Sequence, residues 1–421
     1  MARKMKDSGI EWIGEIPEGW SIARGKHILT LLQRAVFPTD GVITCFRDGE
    51  VTLRSNRRED GFTVSLKEIG YQGIEPGDLV VHGMDGFAGS IGISDSRGKS
   101  SPVLVVLDSS QDKKYLMYYL RSMAYNNVFL ALSTGIRVRS CDLKWNKLAD
   151  LLYLVPPIVE QHKLVSFLDE KCSEIDAMLS KTRASIEEYK KLKQAVITQA
   201  VTKGVRGERE MKDSGVAWIG EIPAEWSICP LKRLAAIQTG CTPSKTSSES
   251  FYSSIAGTPW IKPDNLGFSS SIETTAEFLT EEGCSVARTL PSNTVYVGCI
   301  GSRIGNCGYS LIPCACNQQI NALIFNARMY WKYGWYLTIF QEEQYMLLAN
   351  GNVIQIINST TQGNISCIVP SISEQKEIVD YLDAKCAEID KLIAKKEQLV
   401  KELESYKKSL IYEVVTGKRE V

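Results

Sequence analysis

The chain carries the same block twice. Residues 5–22 read MKDSGIEWIGEIPEGWSI and residues 211–228 read MKDSGVAWIGEIPAEWSI, identical at 14 of 18 positions with an offset of 206. A second pair follows: residues 155–176 (VPPIVEQHKLVSFLDEKCSEID) match residues 369–390 (VPSISEQKEIVDYLDAKCAEID) at an offset of 214. Solenoid units repeat every 20–50 residues or so, and this period is far longer. It is the period of a duplicated domain with its connector. Both motifs match without gaps, so the difference between the offsets arises in the stretches between them, 21–154 and 227–368, which share little sequence.

The 421 residues thus divide into six segments. The N-terminal block covers 1–20, a first variable body 21–155 and a first long helix 156–204. The block returns at 205–226, followed by a second body at 227–369 and a second long helix at 370–421.

The helical segments carry an apolar stripe with alternating steps of three and four. In the first, Val165, Leu168, Cys172, Ile175, Leu179, Thr182, Ile186, Tyr189, Lys193, Val196 and Ala200 lie on one face. A shift of 214 gives Val379, Leu382, Cys386, Ile389, Ile393, Lys396, Val400, Leu403, Lys407, Leu410 and Val414. That is an a/d seam sustained over about five heptads. A helix of about 40 residues is about 60 Å long, more than one small domain can cover. The economical solution pairs the two helices. Thr182 opposite Lys396-type positions, and the matched Lys193 and Lys407, interrupt the seam and are suited to fixing its register. Ser373 is a candidate N-cap, with Glu374 and Glu377 in the first turn. Thr202–Gly204 and Thr416–Lys418 supply glycine stops.

The bodies read as mixed α/β. Strands are predicted at 77–81, 103–107, 151–155, 295–300 and 322–325, and aromatic-bearing helices at 113–131 and 330–349. The fold class is α+β. The tail, VTGKREV, joined to the head, MARKMKDSG, resembles the internal junction VTKGVRGERE-MKDSG. The arrangement is therefore cyclic and pseudo-twofold, with the first block expected beside the end of the second helix.

Composition narrows the function classes. Lys and Arg total 49 against 49 Asp and Glu, so net charge is zero. A compact nucleic-acid-binding domain usually has a basic excess, so any basic surface here must be local. No run of 18 apolar residues suggests a membrane span, and MARKMKDSGIEW has no apolar stretch behind its basic residues. A cytoplasmic location is expected. Twelve cysteines are spread along the chain and the histidines are only His27, His82 and His162. That spacing suits reduced, buried thiols rather than a metal site. No phosphate-binding G-x-x-x-x-G-K-[ST], no G-x-S-x-G and no H-E-x-x-H occurs, so no catalytic residue is expected. Gly83, Gly86, Gly89 and Gly92, like Gly298, Gly301, Gly305 and Gly308, are spaced for tight turns rather than for a dinucleotide loop.

What remains suits binding. The first body holds Arg47, Arg54, Arg57, Arg58 and Lys67, then Arg137, Arg139 and Lys144. The second holds Lys245, Lys262 with Asn265, Arg303, and Asn317, Gln318 and Gln319. Arg and Lys serve phosphates, while Arg, Asn and Gln pair bidentately with base edges in the major groove.

The repeated WIGEIPEGW-type block, the two helix openings with their Glu-Gln and Ile-Asp pairs, and the closing VTKG and VTGKREV together resemble the specificity subunit of type I restriction-modification enzymes. The resemblance spans the chain. The stretches 84–92 with Ser101-Pro102, and 301–305 with 316–319, resemble that family's target recognition domains. It implies that each body is such a domain, reading one half of a split sequence in double-stranded DNA. The two helices would form an antiparallel coiled coil through Leu168, Cys172, Ile175, Leu179, Ile186, Tyr189, Val196, Leu382, Cys386, Ile389, Ile393, Val400, Leu403 and Leu410. Two methylation subunits and the restriction subunits would dock on this frame, in defence of a bacterial or archaeal host against foreign DNA. S-adenosylmethionine, ATP and Mg would be bound by those partners, with no cofactor in this chain. The other reading of the same architecture is a coiled-coil adaptor whose bodies bind proteins.

Overall fold

The computed structural model describes residues 3–57, 68–131, 143–243, 250–267, 271–351 and 354–421. They form two compact units, one of residues 1–183 with 397–421 and the other of 184–396. The boundaries fall inside both long helices, so each unit takes in one body, one repeated block and a part of each helix.

The first unit begins with strands Met5–Asp7 and Glu15–Pro17, paired antiparallel. The turn between them ends at Gly14, at φ +72°, a left-handed position that favours glycine. Trp20 is buried behind it. Strand Ser21–Arg24 enters the body and pairs with Leu152–Val155, the strand that leaves it. Between them lies an antiparallel sheet in the order Leu29–Leu31, Leu104–Ser109, Leu79–His82 and Ile91–Ile93. Helix Lys113–Tyr125 packs against it, with the Asp112 carboxylate capping the amides of Lys114 and Tyr115. The helix predicted over 113–131 is interrupted. Asn127, at φ +59°, breaks it before a last turn at Val128–Ala131.

The second unit repeats this plan. Strands Met211–Asp213 and Glu221–Pro223 pair, and Ser227–Pro230 pairs with Ser366–Val369. The sheet order is Ala235–Thr239, Ile320–Phe325, Thr294–Gly298 and Cys307–Ser310. A further small sheet joins Thr258–Ile261 in parallel to Ala315–Cys316. The predicted helix over 330–349 is two, Trp331–Phe340 and Glu342–Leu348.

The glycine series fall partly in turns, with Gly92, Gly298 and Gly308 inside the flanking strands. Gly86–Ala88 and Gly301–Arg303 are short 3-10 turns at hairpin ends, and Gly305 stands at φ +86°. A Cβ on Gly298 would lie 2.2 Å from the Arg303 carbonyl oxygen, so the hairpin closes only over glycine.

The long helices run Ile158–Lys203 and Ile372–Val415, 46 and 44 residues. They end as their sequences anticipate, with Gly204 at φ +76° and Gly417 at φ +72°. The cap of the second differs from expectation: Ser371, one step outside the helix, accepts the Glu374 amide at 3.4 Å, while Ser373 already lies within. In the first unit, Asp176 pairs with Lys407 and Arg183 with Glu404, so rising numbers on one helix meet falling numbers on the other. In the second unit Lys193 pairs with Asp390, again antiparallel. The seam residues Leu168, Cys172, Ile175, Leu179, Ile186, Leu382, Cys386, Ile389 and Leu410 are buried. Tyr189, Val196, Ile393, Val400 and Leu403 are half-buried. A two-helix pair leaves its flanks open, whereas near each body a third helix closes the seam. Lys396 does not face Thr182 as expected. Its ammonium lies over the Tyr189 ring at 5.7 Å, and the Thr182 hydroxyl donates to the Met178 carbonyl one turn back.

Candidate nucleic-acid interface

Each body is fastened to its frame by the same set of contacts, and the repeated motifs supply them. Glu160 accepts the Trp20 indole N–H at 3.0 Å and pairs with Arg3. Glu374 accepts the Trp226 indole N–H at 2.9 Å and pairs with Arg209 at 2.6 Å. The Gln161 carbonyl oxygen accepts the Asp112 amide at 3.0 Å, while its amide donates to Gln111 and to the Pro156 carbonyl, each at 2.8 Å. Gln375 does the same for the Tyr330 amide at 2.7 Å and the carbonyls of Arg328 and Pro370 at 3.0 and 2.9 Å.

The body helices answer with a shared motif, Lys-Tyr-x-x-Tyr. Lys114 and the Tyr118 hydroxyl both reach Asp169, at 2.6 and 2.8 Å, and Tyr115 donates to the Val415 carbonyl at 3.2 Å. Lys332 and Tyr336 reach Asp383 at 2.6 and 2.8 Å, and Tyr333 donates to the Val201 carbonyl at 3.4 Å. Burial pushes the Tyr118 and Tyr336 phenols well above their ordinary range and keeps them as donors. The bodies are therefore less unrelated than 21–154 and 227–368 look. Residues 114–118 and 332–336 match at an offset of 218, between 206 before them and 214 after. The extra length of the second body lies ahead of this helix.

The head and tail of the chain meet as the cyclic reading requires. Tyr412 donates to the Trp12 carbonyl at 3.0 Å, and a Cβ on Gly417 would press within 2.4 Å of Pro17. Gly204 holds the matching place, where a Cβ would approach Trp226 at 3.1 Å.

Beyond these frames the bodies differ. In the first, Arg47, Arg54 and Arg57 line one open groove of about 860 Å³ together with Phe46, Asp48, His82 and Asp85. Arg47 pairs with Asp85 at 3.1 Å, and Arg57 with Asp48 at 2.6 Å and Glu50 at 2.9 Å. The Arg57 guanidinium lies over the Phe46 ring at 4.2 Å, and Arg54 donates from Nε to the Thr44 hydroxyl at 2.9 Å. Lys144 is exposed just before the helix Trp145–Asp150. Arg58, Lys67, Arg137 and Arg139 lie outside the described residues, as does Lys245 in the second body.

In the second body, six candidates come to one edge. The parallel pairing of Ile261 with Cys316 brings Lys262 and Asn265 beside Asn317, Gln318 and Gln319. Lys262 pairs with Glu277 at 2.6 Å and lies over the Trp260 ring at 4.8 Å. Arg303 reaches Asp264 at 3.5 Å. Asn317 is buried and turned inward, its amide 3.2 Å from the Gln319 carbonyl oxygen. Gln318 is exposed and accepts from Thr242. The acidic partners Asp48, Asp85, Glu277 and Asp264 are absent from the expected interface. Nothing in their local sequence signals them, because the pairing arises between turns.

Burial raises the thiols of the core: Cys45, Cys316 and Cys367 are pushed up to about 12 and Cys299 to about 11. Among the described residues no His, Cys, Asp and Glu gather as a metal-binding group, and no helix is long and apolar enough to cross a membrane.

Comparison with known proteins agrees with this duplicated architecture. Residues 223–402 match the model of the type I restriction modification DNA specificity domain. The chain is thus similar to the type I restriction-modification specificity subunits. A relative from Methanocaldococcus jannaschii, the type I restriction enzyme MjaVIII specificity subunit, is 27% identical over 76% of this chain and 74% of its own length. A second from that organism, the putative MjaX specificity subunit, is 23% identical over 96% of this chain and 95% of its own. Among solved structures, a chain from a study of complex assembly and conformational transition of the type I R-M system superposes with a TM-score of 0.74. It covers 96% of this chain and 99% of itself, at 14% identity. The HsdS subunit of Thermoanaerobacter tengcongensis gives 0.50 at 15% identity, over 96% and 98% of the two chains.

Proposed function

We propose that this chain is a specificity subunit that gives a type I restriction-modification complex its DNA sequence preference, each body reading one half of a bipartite duplex target. The paired helices set the spacer and dock two methylation subunits, with restriction subunits added in the full complex. Catalysis belongs to those partners, which bind S-adenosylmethionine, ATP and Mg; this chain contributes recognition. The complex works in the cytoplasm. The observation that carries the reading is the contrast between frame and edge. Glu, Gln, Asp and the Lys-Tyr-x-x-Tyr helix recur in both units, while one body exposes an arginine groove and the other an edge of amides, Lys262 and Arg303. A common frame with two unlike surfaces suits one duplex carrying two unlike half-sites.

The test is to express the chain with its methylation subunits and map methylated adenines across the genome. One bipartite motif is expected, and replacing residues 21–155 should change one half of it alone. Duplex binding by that complex should also weaken steeply with salt. Binding with neither sequence preference nor salt slope would leave the protein-binding adaptor as the better reading.

A further inference from the structure

The groove of the first body holds its arginines in a manner unsuited to phosphate. Arg47, Arg54 and Arg57 line it, but so do Asp48 and Asp85, and Glu50 grips Arg57 from the side. Among the described residues a phosphate entering here meets three carboxylates beside three guanidinium groups, so their net electrostatic attraction is small.

Arg57 and Arg54 are held in place, while Arg47 is oriented by a single contact to Asp85. Arg57 is held by two carboxylates and stacked on Phe46, and so forms a wall. Arg47 is the most exposed member of an ion pair in the groove, 61% at its side chain, and Asp85 takes only one of its terminal nitrogens. His82 adds a neutral donor beside it. Its Nδ1 accepts the amides of Met84 and Asp85 at 3.3 and 3.0 Å, leaving Nε2 to carry the proton. Burial pushes that imidazole below its ordinary value, against the pull of Asp85.

The groove thus offers oriented donors with their charge locally balanced. The base that presents two acceptors side by side in the major groove is guanine, through O6 and N7, and a guanidinium fork matches that spacing. Fixed orientation is what a bidentate contact requires. We propose that Arg47, held by Asp85, reads a guanine in the half-site of the first body. The proposal rests on the DNA-specificity reading above.

The experiment uses the complex of full chain and methylation subunits on a plasmid library randomised through both half-sites, with adenine methylation sequenced as the readout. The wild-type complex should require guanine in one half-site. Arg47→Ala should relax that G·C pair by about 10- to 100-fold and leave the other half-site intact. Arg47→Lys, which keeps the charge but not the fork, should fail to restore it. Asp85→Asn keeps the shape and loosens Arg47, so partial relaxation at the same pair is expected even where Arg47→Ala folds poorly. Equal weakening on all sequences, with a salt slope reduced by about one, would mark Arg47 as a phosphate contact and overturn the proposal. So would half-sites that contain no guanine, or an unchanged motif in Arg47→Ala and Asp85→Asn. A wild-type complex with no sequence preference would instead sink the specificity reading itself.

Discussion

Lys193 places its ammonium 2.8 and 2.7 Å from the two carboxylate oxygens of Asp390 on the opposing helix. Lys407 stands at 2.6 and 2.7 Å from those of Asp176, the equivalent pair in the other unit. Each aspartate closes the Ile-Asp motif of one helix and meets the lysine that interrupts the apolar seam of the other. A buried lysine without a carboxylate opposite it is costly, so registers that place no acidic residue there are disfavoured.

Lys193→Ala is expected to destabilise the subunit by about 1–2 kcal/mol, because its side chain is only 11% exposed beside Asp390. Lys193→Asp alone should cost more through like-charge repulsion. Combining it with Asp390→Lys should recover most of the loss. Thermal unfolding of the four proteins in a double-mutant cycle checks this, and strictly additive effects would rule out the pairing.

Charging the seam should be more costly. Ile175 and Ile389 are each 6% exposed, and Ile175→Glu or Ile389→Glu buries a carboxylate without a partner. A loss of about 3 kcal/mol or more is expected from denaturant titration. Where the complex still assembles, the spacer between its methylated half-sites should lose its fixed length.

Glu374→Ala removes the partner of Arg209 and of the Trp226 indole from a site where the Glu374 side chain is 2% exposed. About 3 kcal/mol should be lost, while Glu374→Gln, which still accepts from Trp226, should lose less. Hydrogen exchange should show the opening localised at residues 205–226.

Gln375→Ala deletes contacts to one half-buried amide and two carbonyls at the base of the second body. About 2 kcal/mol is expected. The separate consequence is faster exchange in Trp331–Phe340 with Lys113–Tyr125 unaffected, which a global loss of stability would not produce.

Much of the frame was legible because it is written twice. The long helices, their glycine stops, their antiparallel seam and the tail-to-head contact all follow from motif pairs whose spacing has one economical solution. The buried Lys193 shows the limit. Sequence marked it as an interruption of the seam, while its partner depends on the direction and register of pairing. The bodies were harder. Their central strands stood out as β-branched runs, yet the two-residue strands at Tyr252 and Phe278 have too few positions to show a period. The Lys-Tyr-x-x-Tyr helix was visible in principle and escaped notice because its offset, 218, matches neither flanking repeat. In the groove, the arginines stood out by type, but Asp48 and Asp85 are brought to them only by the folding of separate turns.

Gln161 and Gln375 each accept a main-chain amide where they hold the body helices, and Gln161 also donates to the Gln111 side chain. The amide that Gln161 captures belongs to an aspartate in one unit, and the amide that Gln375 captures to a tyrosine in the other. A grip on peptide groups is indifferent to the side chains those residues carry. Where the Lys-Tyr-x-x-Tyr side chains are kept, mutational drift in the rest of each body can therefore proceed without loosening this grip, and the outer surface can change without rebuilding the scaffold.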